Sequence, residues 1–541
     1  MAQIISIILL LLTLVIFSRE YYFFIRKNTK KKRTVLHLVV GYTAFFLLPV
    51  FLPPIANFAP TSLFRMLAVG LLDIHVFIYF PTLTTILWFL RVKPQYWPLP
   101  KRNDQRRTMR WYLILLSLYM ASSGLSPQYV DLTHEQVHSV RPYTKKILNH
   151  LDSECLITWY RSAHLSETPQ FRTISHLLSS YERENPKWCT LIVRDPNTQK
   201  SPEFPEQIGL LPLNSDSYSG ILIEYRGKYH LLPSTIDYFL LEYELTKALE
   251  SLILYQGNRT NPVQMLVLGN PNGYEYLQIV LEHAGFSLIP PINPEIALDP
   301  KIPLILVGSE YCSEGTLAAI KTFILQGGAA VFFVSGISID TMETWSALPK
   351  TDDPILTLLE SRGIGISPQL LLDEQNYRID MPAVEGDAVQ SVSYPYWIRV
   401  TNSGFLSKHV VFSGVSSLQF YWPSPIFHDV SKTIMPLIQT TNCTELANPP
   451  FFTHPLRDKA KFLISTKGRY PLSVFLEKPS RILVIADEYC VSNLIDLSAS
   501  YDNLLFFINC VEWISGNEAL TSIKRTPQRV LPFLHDYHSS R

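Results

Sequence analysis

Apolar residues follow two rhythms along this chain. In the first quarter they form long, charge-poor stretches at 4–17, 35–58, 66–90 and 111–124, and beyond residue 126 they shrink to short runs separated by polar turns. A spanning helix needs roughly 20 apolar residues. The two middle stretches exceed that length, and the outer two reach it by recruiting interfacial aromatics, Tyr21 to Phe24 for the first and the region of Tyr129 for the fourth. The pattern predicts a transmembrane region over 1–126 with about four helices, at 4–24, 35–58, 66–90 and 111–127, three or four crossings both remaining open.

Beyond it the period becomes that of an α/β protein. Val140, Ile147, Leu148 and Leu151 predict a helix over 139–151, followed by a strand at 156–160, a helix from Ser166 or Phe171 to Tyr181, and a strand at 190–193 ending in Asp195-Pro196. Runs at 221–225 and 229–232 flank Arg226-Gly227-Lys228 as a hairpin, and 236–253 reads as a helix with Glu244 and Lys247 on its wet side. These make a first α/β domain over 127–258. From Gln264 a βαβ succession follows: a strand at 265–268, the loop Gly269 to Gly273, a helix to His283, a strand at 304–307, a helix over 313–325 opened by Ser313 and closed by Gly327-Gly328, and a strand at 330–334. Apolar strands alternating with helices imply a parallel sheet covered on both faces. A strand at 482–485, Asp487 and an amphipathic helix over 501–513 rejoin it late. The second domain thus spans 259–526, with a Pro- and Ser-rich insertion or smaller β layer near 390–475, β-like at 409–413, and a tail over 527–541.

Charge sets the orientation. Arg26, Lys27, Lys30, Lys31, Lys32 and Arg33 fill the first connection and Arg91, Lys93, Lys101, Arg102, Arg106, Arg107 and Arg110 the third, whereas the second has only Arg65 at its edge. Basic loops stay cytoplasmic. The large C-terminal part then faces away from the cytoplasm, and the chain reads as a multi-pass protein of the inner (cytoplasmic) membrane, in contact with the lipid bilayer. The first stretch lacks the basic leader and cleavage site of a signal peptide and is expected to be retained. A net charge of +1 gives no electrostatic reason to expect nucleic acid. The predicted fold class is α/β: an N-terminal bundle of about four transmembrane helices, then two extracytoplasmic α/β domains.

The cysteines Cys155, Cys189, Cys312, Cys443, Cys490 and Cys510 form no C-x-x-C pair and no zinc spacing. Buried small apolar side chains are the plain reading. An oxidising compartment permits a disulfide, and Cys155 with Cys189, each opening a predicted strand of one small sheet, is the pair to examine.

Many short motifs then occur in order. Asp131-Leu132-Thr133, Ser139, Thr144-Lys145, Leu151-Asp152, Tyr181-Glu182, Asp195-Pro196, Gly209-Leu210 and the run E-Y-E-L-T-K-A-L from Glu242 to Leu249 resemble the opening of GldG-like proteins. Similarity to the ABC-transporter auxiliary domain continues through Gly327-Gly328, Gly363-Ile364, Leu372-Asp373, Pro436-Leu437, Thr440-Thr441, Tyr470-Pro471-Leu472, Ile485-Ala486-Asp487 to Asn493, Asn509, Trp513 to Gly516 and Ile523-Lys524-Arg525. It covers most of 131–526. The resemblance implies an extracytoplasmic auxiliary component of ABC-type transport systems, including those linked to gliding motility. It further implies that the second domain has a parallel-sheet, glutamine-amidotransferase-like (GIFT) fold, with an ABC ATPase subunit, an ABC permease subunit and an envelope substrate as partners. Relatives carry a final transmembrane helix, whereas 517–541 holds no apolar run.

A fold of that kind raises the question of a nucleophile. Cys312, in G-S-E-Y-C-S-E-G, follows a strand but lacks the glycine-flanked elbow that would aim backbone amides at an oxyanion, and no H-x-E dyad follows; Asp487-Glu488-Tyr489-Cys490 offers no histidine. Gly269 to Gly273 could cradle a phosphate at a helix N-terminus, but with Pro271 and no lysine it reads as a tight turn. With no P-loop, ATP hydrolysis falls to a separate subunit. Asp195 reads as a turn residue. Asp73 and His75, two apart in the third stretch, fall on different faces of a helix and serve either packing or transport. Asn258-Arg259-Thr260 and Asn442-Cys443-Thr444 match glycosylation sequons. No catalytic, cofactor-binding or metal residue is assigned. The expected function is a non-catalytic auxiliary subunit binding a partner or substrate outside the cytoplasm; the alternative is a membrane-anchored hydrolase or amidotransferase-like enzyme working at the open strand ends.

Overall fold

The computed structural model describes residues 71–73, 129–131, 139–198, 204–214, 217–235, 239–254, 261–290, 297–340, 345–382, 389–429, 433–451, 453–455 and 468–525. They fall in two compact units, one of Met1–Val140 with Ser175–Ser180, the other of Arg141–Ile174 with Tyr181–Arg541. In the first, strand β1 (Leu71–Asp73) pairs antiparallel with β2 (Tyr129–Asp131), Leu72 opposite Val130, and Ser139 Oγ donates to Asp131 Oδ2 at 3.0 Å. Helix had been expected at 71–73; those residues are extended, in register with β2. The remainder of the predicted spans, His75 included, lies outside the described residues. Among the described residues no helix is long and apolar enough to cross a membrane.

The second unit begins with the first α/β domain. Helix α1 (Pro142–Leu148) starts later than hydropathy implied because Pro142 occupies its first turn, where a missing N–H costs nothing and the preceding residue is held extended. Pro169 likewise occupies the first turn of α2 (Pro169–Glu184), between the two starts expected at Ser166 and Phe171. Strands β3 (Cys155–Arg161) and β4 (Cys189–Arg194) flank α2 and pair in parallel; β5 (Ser217–Tyr225) adds antiparallel to β3, and β6 (Lys228–Leu232) closes the hairpin predicted around Arg226-Gly227. Helix α3 (Leu241–Leu254) follows.

The second domain is built on strands β7 (Pro262–Val267), β8 (Ser287–Leu288), β9 (Leu304–Val307) and β10 (Ala330–Phe333), with helices α4 (Tyr276–His283) and α5 (Glu314–Leu325) as crossovers. Ser313 caps α5, its hydroxyl accepting from the Thr316 N–H at 3.1 Å. Helix α6 (Pro354–Ser361) is capped by Asp353. A hairpin of β11 (Asn376–Pro382) and β12 (Val389–Thr401) carries β13 (Ser417–Tyr421). Strands β14 (Met435–Gln439), β15 (Pro471–Leu476) and β16 (Ile482–Ile485) precede helices α7 (Asp502–Ile514) and α8 (Glu518–Thr521). The seven-stranded sheet runs β14-β15-β16-β10-β9-β7-β8, parallel from β16 to β8 and antiparallel at its other edge. The stretch near 390–475 is therefore only partly a separate layer, since β14 and β15 extend the main sheet. Residues 409–413 are also not a strand: Val410–Phe412 form a 3₁₀ turn whose first N–H groups are met by His409, as Val411 N donates to His409 Nδ1 at 3.4 Å.

Strand alternation divides the core. Ile305, Val307, Val331, Phe333, Leu483 and Ile485 face α4, α7 and the aromatic hairpin of Tyr394, Trp397, Tyr421 and Trp422, while Leu304, Leu306, Ala330, Phe332, Ile482 and Val484 face α5 and α6 through Ile320, Phe323, Ile355 and Leu359. Each of the Val, Leu, Ile and Phe side chains contributes about 1.5–3 kcal/mol by leaving water.

Polar contacts join the two domains. Glu242, from α3, and Arg525, just past α8, form an ion pair with each side chain 1% exposed. The same carboxylate accepts from Arg141 N at 2.5 Å and from Thr144 Oγ1 at 2.9 Å. Alongside, Tyr243 Oη donates to Glu512 Oε1 at 2.6 Å, Lys247 Nζ lies 3.7 Å from Glu512, and Lys524 Nζ donates to Asn509 Oδ1 at 2.7 Å while sitting 4.2 Å from the Tyr243 ring centroid. Removing one member strands a buried charge, so Arg525→Ala should lower the urea-unfolding free energy of the purified chain by about 3–5 kcal/mol.

Lys524 adds a pH dependence. Burial pulls its ammonium from 10.5 down to about 7, opposed by Glu512 and Glu244 and reinforced by Lys247. Between those values the unfolded chain holds a proton that the folded chain has released, so this group's penalty, complete below about pH 7, fades as pH rises toward 10.5. Lys524→Met should remove this stabilisation with rising pH, read as flatter melting temperatures from pH 7 to 10 than in the parent.

Candidate functional site

Open α/β sheets bind ligands at the carboxyl ends of their parallel strands. Here those ends carry Gly269 after β7, Gly308-Ser309-Glu310 after β9, Ser335-Gly336 after β10 and Asp487-Glu488 after β16. Gly308 has φ +75°, and a Cβ there would meet Gly269 Cα at 2.5 Å, so the two loops touch backbone to backbone.

Lys350, on the short segment after Ala347–Pro349, reaches into this crevice. Its Nζ lies 3.0 Å from Glu488 Oε1, 3.7 Å from Glu310 Oε1 and 3.4 Å from Ser309 Oγ, with the Lys350 and Glu488 side chains 8% and 3% exposed. Glu488 N donates to Ser335 Oγ at 2.9 Å. Burial raises the Glu488 carboxyl above its ordinary range, against the lowering pull of Lys350. Its second oxygen, Oε2, is buried near the Gly269 and Gly308 backbones with no hydrogen-bond partner among the described residues. Ile339 N donates to Tyr489 Oη at 2.9 Å across the same crevice.

Asp487 beside it is structural. One oxygen accepts from Tyr421 N at 2.6 Å and the other from Tyr489 N at 2.8 Å and Cys490 N at 3.2 Å, tying β13 to the end of β16. Burial nevertheless pushes its carboxyl well above the usual range.

The sequence candidates are scattered. Cys312 is half-buried ahead of α5, and burial, with the Asp353 charge, pushes its thiol up to about 11. Cys490 is fully buried, its thiol raised by burial, and it donates to Asp487 O at 3.2 Å. Neither is a thiolate at neutral pH, the form that attacks. Asp195 is a turn residue, accepting from Asn197 N at 2.9 Å and Ala163 N at 3.1 Å. Gly269 to Gly273 folds as a turn in which Asn270 Oδ1 accepts from Asn272 N at 3.2 Å and Gly273 O from Asn493 N at 2.9 Å. Asn442 is exposed, but the Thr444 hydroxyl of its sequon is buried on Asp373 Oδ2 at 2.7 Å. Cys155 and Cys189 are strand neighbours and both thiols are free. Among the described residues no group of three His, Cys, Asp or Glu is placed to hold a metal.

Lys350 is what sequence reasoning missed. The polar residues following three apolar strands, Ser309-Glu310, Ser335 and Asp487-Glu488, were a readable signal for the crevice; the lysine that fills it comes from a segment with no periodicity.

The fold and crevice define an α/β domain whose ligand-binding edge is closed by its own side chains. Residues 251–510 match the family model of an ABC-type uncharacterized transport system, so the resemblance to the ABC-transport auxiliary family holds over that stretch. An uncharacterized protein of Borreliella burgdorferi is 25% identical over 329 residues, 57% of this chain and 63% of that protein, so the match spans less than two thirds of the relative.

Two outcomes test the geometry. Lys350→Met, which leaves Glu488 buried beside Glu310 without a cation, should destabilise the chain by about 3 kcal/mol or more in denaturant unfolding. Alkylation of Cys312 by iodoacetamide, followed by peptide mass spectrometry, should be slow at pH 7 and rise about tenfold per pH unit toward its raised pKa.

Proposed function

We propose that the chain is a membrane-anchored, non-catalytic auxiliary subunit of an ABC-type transport or envelope complex, of the GldG-like kind. Its two α/β domains lie outside the cytoplasm, the second of them amidotransferase-like in fold, and bind a partner or substrate there. One observation carries this reading beyond the family match: the strand-end crevice, where such a sheet would do chemistry, is filled by the Lys350–Glu488 pair. The lysine is shared between two carboxylates, Glu488 and Glu310.

The residues that carry the family resemblance point the same way, because their side chains are used on the fold itself. Asp373 accepts from Thr441 N at 2.9 Å and Thr441 Oγ1 at 2.8 Å. Asn509 Nδ2 donates to Val411 O at 2.9 Å and Ser413 O at 2.8 Å. Asp487 spans two loops, and Arg525 holds the first domain. Energy conversion then falls to a partner with a P-loop, and the membrane segments supply the contact with a permease.

Affinity capture of the full chain from detergent-solubilised membranes should retrieve a P-loop ATPase and a polytopic permease, identified by mass spectrometry. Failure to retrieve either, or loss of cellular function on Cys312→Ala or Cys490→Ala with the fold intact, would replace this reading with the enzyme alternative.

A further inference from the structure

We propose that Cys155 and Cys189 are the two halves of a structural disulfide, closed while the first domain folds. They are the first residues of β3 and β4 and are direct register partners in a parallel pair. Partners in adjacent strands project to the same face, and a strand spacing of about 4.8 Å falls within the Cα separations of roughly 4.4–6.8 Å that a disulfide bridges. Both side chains are buried, at 0% and 1% exposure.

Independent contacts fix both backbones. Cys155 N donates to Trp188 O at 2.6 Å, Cys189 N donates to Asn185 O at 2.9 Å, and the Asn185 side chain donates to Leu148 O at 2.8 Å at the end of α1. The remaining cysteines, Cys312, Cys443, Cys490 and Cys510, belong to the second domain, so no other thiol of the first domain competes.

The chemistry is thiol–disulfide exchange. The Cys155 thiolate attacks a disulfide oxidant such as glutathione disulfide, forming a mixed disulfide and releasing one thiolate. The Cys189 thiolate then attacks Cys155 Sγ, making the Cys155–Cys189 bond and expelling the second thiolate. The two cysteine protons end on the two released thiols; the protein is oxidised by two electrons and the oxidant reduced by two. In the finished fold the neighbouring Cys155 and burial raise the Cys189 thiol above its ordinary range, so closure belongs to folding, before the pair is buried.

Closure in the cell rests on the extracytoplasmic placement proposed above, whereas refolding tests the chemistry alone. The full chain, unfolded in urea and refolded in detergent with a mixture of reduced and oxidised glutathione, should give a reducible peptide pair joined through Cys155 and Cys189. Cys155→Ser and Cys189→Ser should melt below the oxidised parent, and their melting should not respond to reductant. Free thiols at both positions after refolding, bonds to other cysteines, or equal melting of oxidised and reduced parent would overturn the proposal. If the bond forms on refolding but is missing from protein alkylated during extraction from cells, the placement outside the cytoplasm fails and the disulfide chemistry stands.

Discussion

The buried Glu242–Arg525 pair is the contact on which the two α/β domains depend. Neither residue could be buried alone: an isolated charge in a protein interior costs several kcal/mol even after relaxation. Each domain supplies one sign. The carboxylate is completed by Arg141 N and Thr144 at the start of α1, so a single side chain ties α1, α3 and the segment after α8 into one arrangement. Among the described residues an apolar cluster of Tyr243, Leu520 and Ile523, with Tyr143 against it, lies at this joint.

The second sheet uses buried charge differently. Its strand ends gather Glu310, Glu488 and Lys350, and the lysine neutralises the crevice from within. A ligand entering there would have to displace an ion pair whose members are almost wholly out of water. Within residues 251–510, Asp373, Asp487 and Asn509 all hydrogen-bond to backbone groups of the same domain.

Much of the fold was legible in the sequence because its strands are short apolar runs bounded by turn residues. The strand Leu304–Val307 and the helix opened by Ser313 fall where periodicity places them, since burial on both faces and a hydroxyl cap are local signals. The helix start at Pro142 was displaced from Ser139 because proline overrides hydropathy at the first turn, whereas Pro169 opens the next helix between the two starts expected. The run at 409–413 misled because its apolar residues face the helix α7 core from a 3₁₀ turn, a geometry that alternation cannot distinguish from a strand.

The sequence by itself determined the two-part hydropathy, the alternation of strands with helices, and the absence of a glycine-flanked nucleophile, because each is carried by neighbours along the chain. Only the tertiary structure decided that Lys350 would close the strand-end crevice, that β14 and β15 would widen the main sheet, and that Arg525 would meet Glu242. Those are meetings between residues far apart in sequence, and they are selected by the requirement that every buried charge and strand edge find a partner. No local pattern encodes such a requirement.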